Sequence, residues 1–204
     1  MAVDYLTDIR RIEQKFGIGD TYSAHSVFVD FETYVVLVDD TMKQLLLALL
    51  VVTAIVFFIT VSLQATLIIV FCVLLVNVYM LAVTQYWGLT FNNIVAVNLS
   101  FALGVALDYS SHIGHTYLSI KAPRNLKSKL AIREYKASNA ISRMGSSVIH
   151  GGFSTFLSIF VMRSSKLYSV QVFYKSWVCI VSFGMLNGLI LLPILLSLIG
   201  PVHL

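Results

Sequence analysis

The chain has 204 residues, 58% of them hydrophobic and only 12% charged, with a mean hydropathy of +0.85. Soluble domains carry about 45–50% apolar and about 25% charged residues, so a water-soluble single domain is excluded, and so is a solvated, disordered coil. The net charge of +4 is segregated: eight of the ten acids lie between Asp4 and Asp40, and seven of the fourteen basic residues lie between Lys121 and Arg143. That is the pattern of a chain divided by a membrane, not of a nucleic-acid patch.

The N-terminal stretch MAVDYLTDIRRIEQKFG has no apolar run and does not read as a signal peptide. The following SVFVDFETYVVLVDD is rich in β-branched and aromatic residues and predicts strand. Residues 1–43 therefore read as a luminal or extracellular segment, the end of a larger luminal domain.

A membrane core about 30 Å thick needs roughly 20 apolar residues in a helix. Five segments qualify, at about 45–63, 65–86, 91–118, 147–162 and 176–199. Helices are expected because lipid cannot satisfy an open backbone. Gln64 and its neighbours leave room only for a tight turn between the first two. The expected fold class is all-α, a polytopic membrane domain over 44–200. The basic connection 119–146 marks its side as cytoplasmic, with the N-terminal segment luminal and the C-terminus cytoplasmic.

Asp108 is the one acid in any of these spans. It lies thirteen residues before Lys121, about 20 Å along a helix axis, and an ionisable group at that depth costs at least about 2.5–3.5 kcal/mol. It is therefore expected in the interior of the bundle or in a wet cavity. Ser100, Gly104, Asp108, His112 and His115 recur at helical spacing on one face, with Ser111 at its border. A buried acid one turn from a histidine suits proton or cation exchange. A structural acid paired with a base on another helix is the alternative. Gly104 leaves space for water or a neighbouring helix. Gly145, Gly151 and Gly152, at the opening of the fourth span, and Gly184 and Gly188 in the fifth, suit close helix packing. Pro193 frees the carbonyl of Leu189 and is expected to bend the fifth helix.

Other chemistry is not readable. Cys72 and Cys179 sit in apolar runs and form no disulfide framework, and no cysteine–histidine metal spacing occurs. His112-Ile113-Gly114-His115 spells a synthetase-like tetrapeptide but ends an apolar helix. Ser154 and His150 lack the context of a serine hydrolase. Neither an enzyme nor a cofactor is expected.

Four stretches resemble a known family. GVALDYSSHI, Gly104 to Ile113, looks like the Gly-x-x-x-acid helix of the Patched, Dispatched and Niemann–Pick C branch of the resistance-nodulation-division (RND) superfamily. RMGSSVIHGGFSTFLSIFVM from Arg143, VFYKSWVCIVSFGMLNGLILLPILLSLIGP from Val172 and FETYVVLVDDT from Phe31 follow the same pattern in the same order. The resemblance implies the last five helices of the second half of a two-half permease. It implies a sterol or other lipid as substrate, H⁺ or Na⁺ as coupling ion, and a plasma or endolysosomal membrane. The partners would be membrane lipids and the N-terminal transporter half. Asp108 would carry the ion by motif, with His112 second and Gly104 giving room; Ser111 and His115 are further candidates. A receptor-like sterol-binding protein without transport and a non-autonomous gene fragment are the alternatives.

Overall fold

The structure is a computed structural model that describes residues 2–16, 26–88, 91–123, 126 and 128–202, with side chains described at 8–12, 14–16 and onwards from 36. The part of the expected luminal segment at 17–25 lies outside the described residues. The elements are α1 (Ala2–Phe16), α2 (Ser26–Thr60), α3 (Leu63–Tyr86), α4 (Asn93–Ser119), α5 (Lys129–Phe160), α6 (Tyr168–Leu186) and α7 (Leu192–Ile199). A short 3₁₀ turn, Val161–Ser164, follows α5, and a π turn, Asn187–Leu191, joins α6 to α7. Among the described residues there is no strand. Five helical stretches are long and apolar enough to span a bilayer: Val36–Thr60, Leu63–Tyr86, Asn93–Ser119, Lys129–Ser164 and Tyr168–Ile199. The chain is an all-α polytopic membrane protein.

The chain divides into two compact units, Met1–Gln44 and Leu45–Leu204. In the first, the stretch expected as strand is helix. β-branched and aromatic residues favour strands only where a sheet offers them a surface, and intrinsic preferences of this size are readily overridden. Two exposed i,i+3 pairs, Asp8–Arg11 and Asp40–Lys43, lie on these helices.

In the second unit the chain turns between α2 and α3 at Val61 and Ser62. Val61 has φ 48°, a left-handed conformation that costs a β-branched residue about 1–2 kcal/mol. Ser62 caps α3 by accepting from the Ala65 N–H. Asn92 caps α4, its Oδ1 accepting from the Val95 N–H at 3.0 Å. The core is built from one face each of α3 and α4. Ile69, Cys72, Val73, Val76 and Met80 meet Leu99, Ala102, Leu103, Ala106, Ile113 and Tyr117 with Ile180, Leu192 and Leu196. Gly114 lets α4 lie against α3, since a Cβ there would strike the Ile69 side chain.

The connection 119–146 is shorter than its charge suggested. α5 begins at Lys129 after Ser128, so most of the basic segment is helix. Its apolar and basic residues alternate with helical period: Lys136, Ala137 and Ala140 turn inward, while Lys129, Arg143 and Glu134 stay exposed. Lys136 is 2% exposed and its Nζ stands 5.6 Å from the Tyr117 ring centroid. The fifth span likewise starts earlier than expected, at Tyr168.

The last turn of α7 is held from three directions. The Tyr117 hydroxyl of α4 is shared between the Leu196 and Pro201 carbonyls at 3.2 and 3.3 Å. Arg133 of α5 donates Nε to Gly200 O at 2.7 Å and Nη1 to Leu198 O at 2.8 Å. Gln64 of α3 donates to Ile199 O. The unpaired carbonyls of a helix end are thus taken up by side chains of α3, α4 and α5. Arg133→Met is expected to lower the stability of the protein by about 1–3 kcal/mol through loss of two charge-assisted bonds. Thermal unfolding in detergent measures this, and an unchanged midpoint would contradict the role. Val61→Gly should raise the same midpoint, by roughly 0.5–1 kcal/mol, since the relief of left-handed strain exceeds the entropy that glycine adds.

Candidate functional site

α4 carries two chemically different faces. Leu99, Ala102, Leu103, Ala106, Tyr109, Ser110, Ile113, Gly114 and Tyr117 are buried. Gly104, Asp108, His112 and His115 lie on the opposite, exposed face, with Ser100 and Ser111 half-buried at its edges. Asp108 is expected in the interior of the bundle or in a wet cavity; among these helices its side chain is 67% exposed and that of His112 is 55% exposed, and both line the gap described below. The reason is periodicity. The apolar and small residues of α4 are the ones that fit against α3 and α6, which turns the acid outward.

His112 Nε2 lies 3.3 Å from Asp108 Oδ1, an i,i+4 pair one turn apart. Together with Tyr109 they line a cavity of about 190 Å³ whose far wall is α5, through Met144, Ser147, Val148 and Gly151. Ser111 Oγ bonds to the Asp108 carbonyl at 3.1 Å rather than into this gap. His115 is exposed one turn on and does not line it. A Cβ placed at Gly104 or at Gly151 would meet nothing within 4 Å. The packing expected at Gly151 is therefore not made among the described residues; the glycine widens the gap instead. Among the described residues no group of three or more His, Cys, Asp or Glu side chains stands together as a metal site.

The other small residues touch specific partners. A Cβ on Gly152 would strike the Met185 side chain. Gly184 and Gly188 receive Tyr109 of α4. A Cβ on Gly184 would lie 3.0 Å from the ring, and one on Gly188 would lie 3.1 Å from Tyr109 Cβ and 3.2 Å from its backbone carbonyl. Pro193 is buried, and the π turn lies directly before it, with the Leu192 N–H bonded to Asn187 O. The disturbance expected from the proline thus takes the form of a wide turn.

Sequence reasoning missed several participants. Ser147, Met144 and Val148 of the gap sit in the segment read as loop or as an undistinguished helix start. Tyr109 was part of the motif, but its burial follows only from the phase of α4. Asn77 and Asn98 are buried polar residues on α3 and α4, and composition marks neither of them.

A carboxylate and an imidazole stand one turn apart on one wall of the gap, a serine hydroxyl stands on the other, and Gly151 keeps the space open. In a bilayer such a pair is costly against hydrocarbon and is stable only against protein or water.

No family model matches the chain. Curated relatives match it over most of its length. The "Niemann-Pick type C1-related protein" of Toxoplasma gondii is 29% identical over 96% of the chain and 16% of the relative. The "NPC intracellular cholesterol transporter 1" of Sus scrofa is 34% identical over 88% of the chain and 14% of the relative. "Protein patched homolog 1" of Caenorhabditis elegans is 27% identical over 98% of the chain and 14% of the relative. The chain thus spans a small fraction of the length of these relatives. It is a homologue of Niemann–Pick C1, Niemann–Pick C1-like and Patched proteins, consistent with the Patched/Niemann–Pick C branch of the RND superfamily.

Gly188→Ala should lower stability by about 1–3 kcal/mol, because the methyl meets backbone that cannot yield. Gly151→Ala should leave it unchanged or raise it by up to about 1 kcal/mol, from helix preference alone. Unfolding of both variants in detergent tests the difference, and equal effects would contradict it.

Proposed function

We propose that the chain forms part of the membrane domain of a transporter that moves a sterol or another lipid. In this reading H⁺ or Na⁺ exchange at Asp108 supplies the driving force, with His112 as its immediate partner. The observation that carries the reading is the Asp108–His112 pair, in the middle of a spanning helix and open to a gap between α4 and α5. An ionisable group at this depth is retained where it does work. The name of the pig relative, a cholesterol transporter, supports a sterol as cargo. The exposure of the pair supports a site completed by protein beyond these helices, in keeping with the much greater length of the relatives. The charge pattern supports a cytoplasmic basic connection between α4 and α5 and a luminal N-terminal segment, and the family resemblance implies a plasma or endolysosomal membrane. The reading is of a membrane transporter and not of an enzyme, as the family resemblance implies.

The test is sterol transfer by the protein reconstituted in vesicles, with and without a proton or sodium gradient, comparing the native protein with Asp108→Asn. Gradient-driven transfer should fall by about tenfold or more, the equivalent of at least roughly 1.4 kcal/mol. Undiminished gradient-driven transfer by Asp108→Asn removes the coupling role. Sterol binding that ignores the gradient in the native protein removes transport and favours a receptor-like protein.

A further inference from the structure

The end of the bundle opposite Trp87 collects cations around the tip of the last helix. Of the charged residues between Lys121 and Lys136, six are basic: Lys121, Arg124, Lys127, Lys129, Arg133 and Lys136. Lys129, Arg133 and Lys136 recur at spacings of four and three, which sets them on one side of the first two turns of α5. Glu134, the one acid in this stretch, is exposed and lies about 100° round the helix from Arg133. Arg133 holds the carbonyls of Leu198 and Gly200, so the first turn of α5 stands level with the tip of α7 or just beyond it. Lys129 is exposed there, and so is Lys121, two residues past the end of α4. Lys136 is sealed beneath them against the Tyr117 ring. Its Nζ has no hydrogen-bond partner among the described residues. A buried cation without a counter-charge is costly, and its field reaches the nearby surface with little screening.

The surface beside these cations is apolar. Ile194, Leu198 and Ile199 of α7 are exposed, as side chains on a spanning helix are where they meet acyl chains. Leu198 is also the residue whose carbonyl Arg133 holds. An acyl chain lying on this strip brings its own headgroup to the level of Arg133 and Lys129. Leu130, exposed next to Lys129, extends the apolar strip to α5.

We propose that this corner, made by the tip of α7, the first two turns of α5 and Lys121, binds the headgroup of an anionic phospholipid. The site is independent of Asp108 and its partner. Lys121 and Lys129 supply mobile charges, and the Arg133 bonds to carbonyls use two of its five N–H groups, which leaves donors for a phosphate oxygen. Clusters of basic residues directly beside a spanning helix attract anionic lipid in this way. At the other end of the bundle two of the cations, Arg163 and Lys175, lie over the rings of Phe160 and Trp87. An acidic protein segment would find the same charges at the corner but would have to displace lipid from the strip on α7.

The experiment places the full chain in nanodiscs of phosphatidylcholine with a minor share of phosphatidylserine and counts retained lipids by native mass spectrometry. Corrected for their shares in the bilayer, phosphatidylserine should be retained over phosphatidylcholine by on the order of twentyfold, the product of two exposed cations worth about fivefold each. Lys121→Gln and Lys129→Gln should each lower that preference by about fivefold, and together bring it near parity. Lys136→Met, which removes the buried charge and keeps the chain length, should lower it in the same direction. Arg163→Gln with Lys166→Gln, at the other end, should leave it unchanged. Equal retention of the two lipids overturns the proposal, as does a preference that survives Lys121→Gln with Lys129→Gln or that falls only with the Arg163 and Lys166 variant. Glycerophosphoserine, the headgroup without chains, and a polyglutamate peptide serve as competitors. Displacement of the lipid by the first makes this a soluble-phosphate site, and displacement by the second makes it a protein-binding surface; either overturns lipid docking.

Discussion

Hydrocarbon offers no partner to a hydrogen-bonding group, and that single constraint explains both ends of this bundle's design. Where α7 stops, five carbonyls from Leu196 to Pro201 would face an apolar phase or its boundary. Tyr117, Arg133 and Gln64 take them up from three separate helices. Within lipid, helices gain little from burying apolar surface against one another, since lipid tails are equally apolar; close packing and interhelical hydrogen bonds decide association. The tethered end fixes how α3, α4 and α5 stand around the last helix. Gly114 against Ile69, Gly152 against Met185, and Gly184 and Gly188 against Tyr109 then set the close approaches along its length.

The same constraint gives the other side of α4 its meaning. Half a turn from its tightly packed face, α4 presents a carboxylate, two imidazoles and open glycine. The pair Asp108–His112 is exposed among these helices, and a membrane does not tolerate that arrangement against lipid. α4 is thus well packed on one face and chemically unfinished on the other. This is the surface at which ion exchange, coupled to lipid movement, is proposed.

Much of this was legible in the sequence because hydrophobic length is a strong signal. The five spans follow from runs such as Leu45–Leu63, and Asp108 stood out as a lone acid in one of them. Three features were not legible. The segment around Phe31 has the composition of a strand, yet with no sheet for it to join it forms helix. The basic connection concealed the start of α5, because charge counting marks a side of the membrane and does not reveal that Lys136 turns inward against Tyr117. The direction in which Asp108 points was also hidden. A polar stripe on an apolar helix does not state which stripe faces the neighbours; that was decided by Gly114 and Tyr109 fitting α3 and α6, a property of shape.

The wide turn at Asn187–Leu191 has a geometric consequence. Gly184, Gly188, Leu192, Leu196 and Gly200 are all buried, although residues four apart on a regular α-helix drift by about 40° per step. Over the twelve residues from Gly184 to Leu196 that drift would reach about 120° and carry Leu196 out to the lipid. The expanded turn winds back most of this angle, so one seam stays aligned from the tyrosine niche to the tethered tip. The segment thereby acts as a phase corrector. It is also the point in the last span where the chain can take up the gain or loss of a single residue, by shifting or shedding the bulge, while both flanking contacts keep their register.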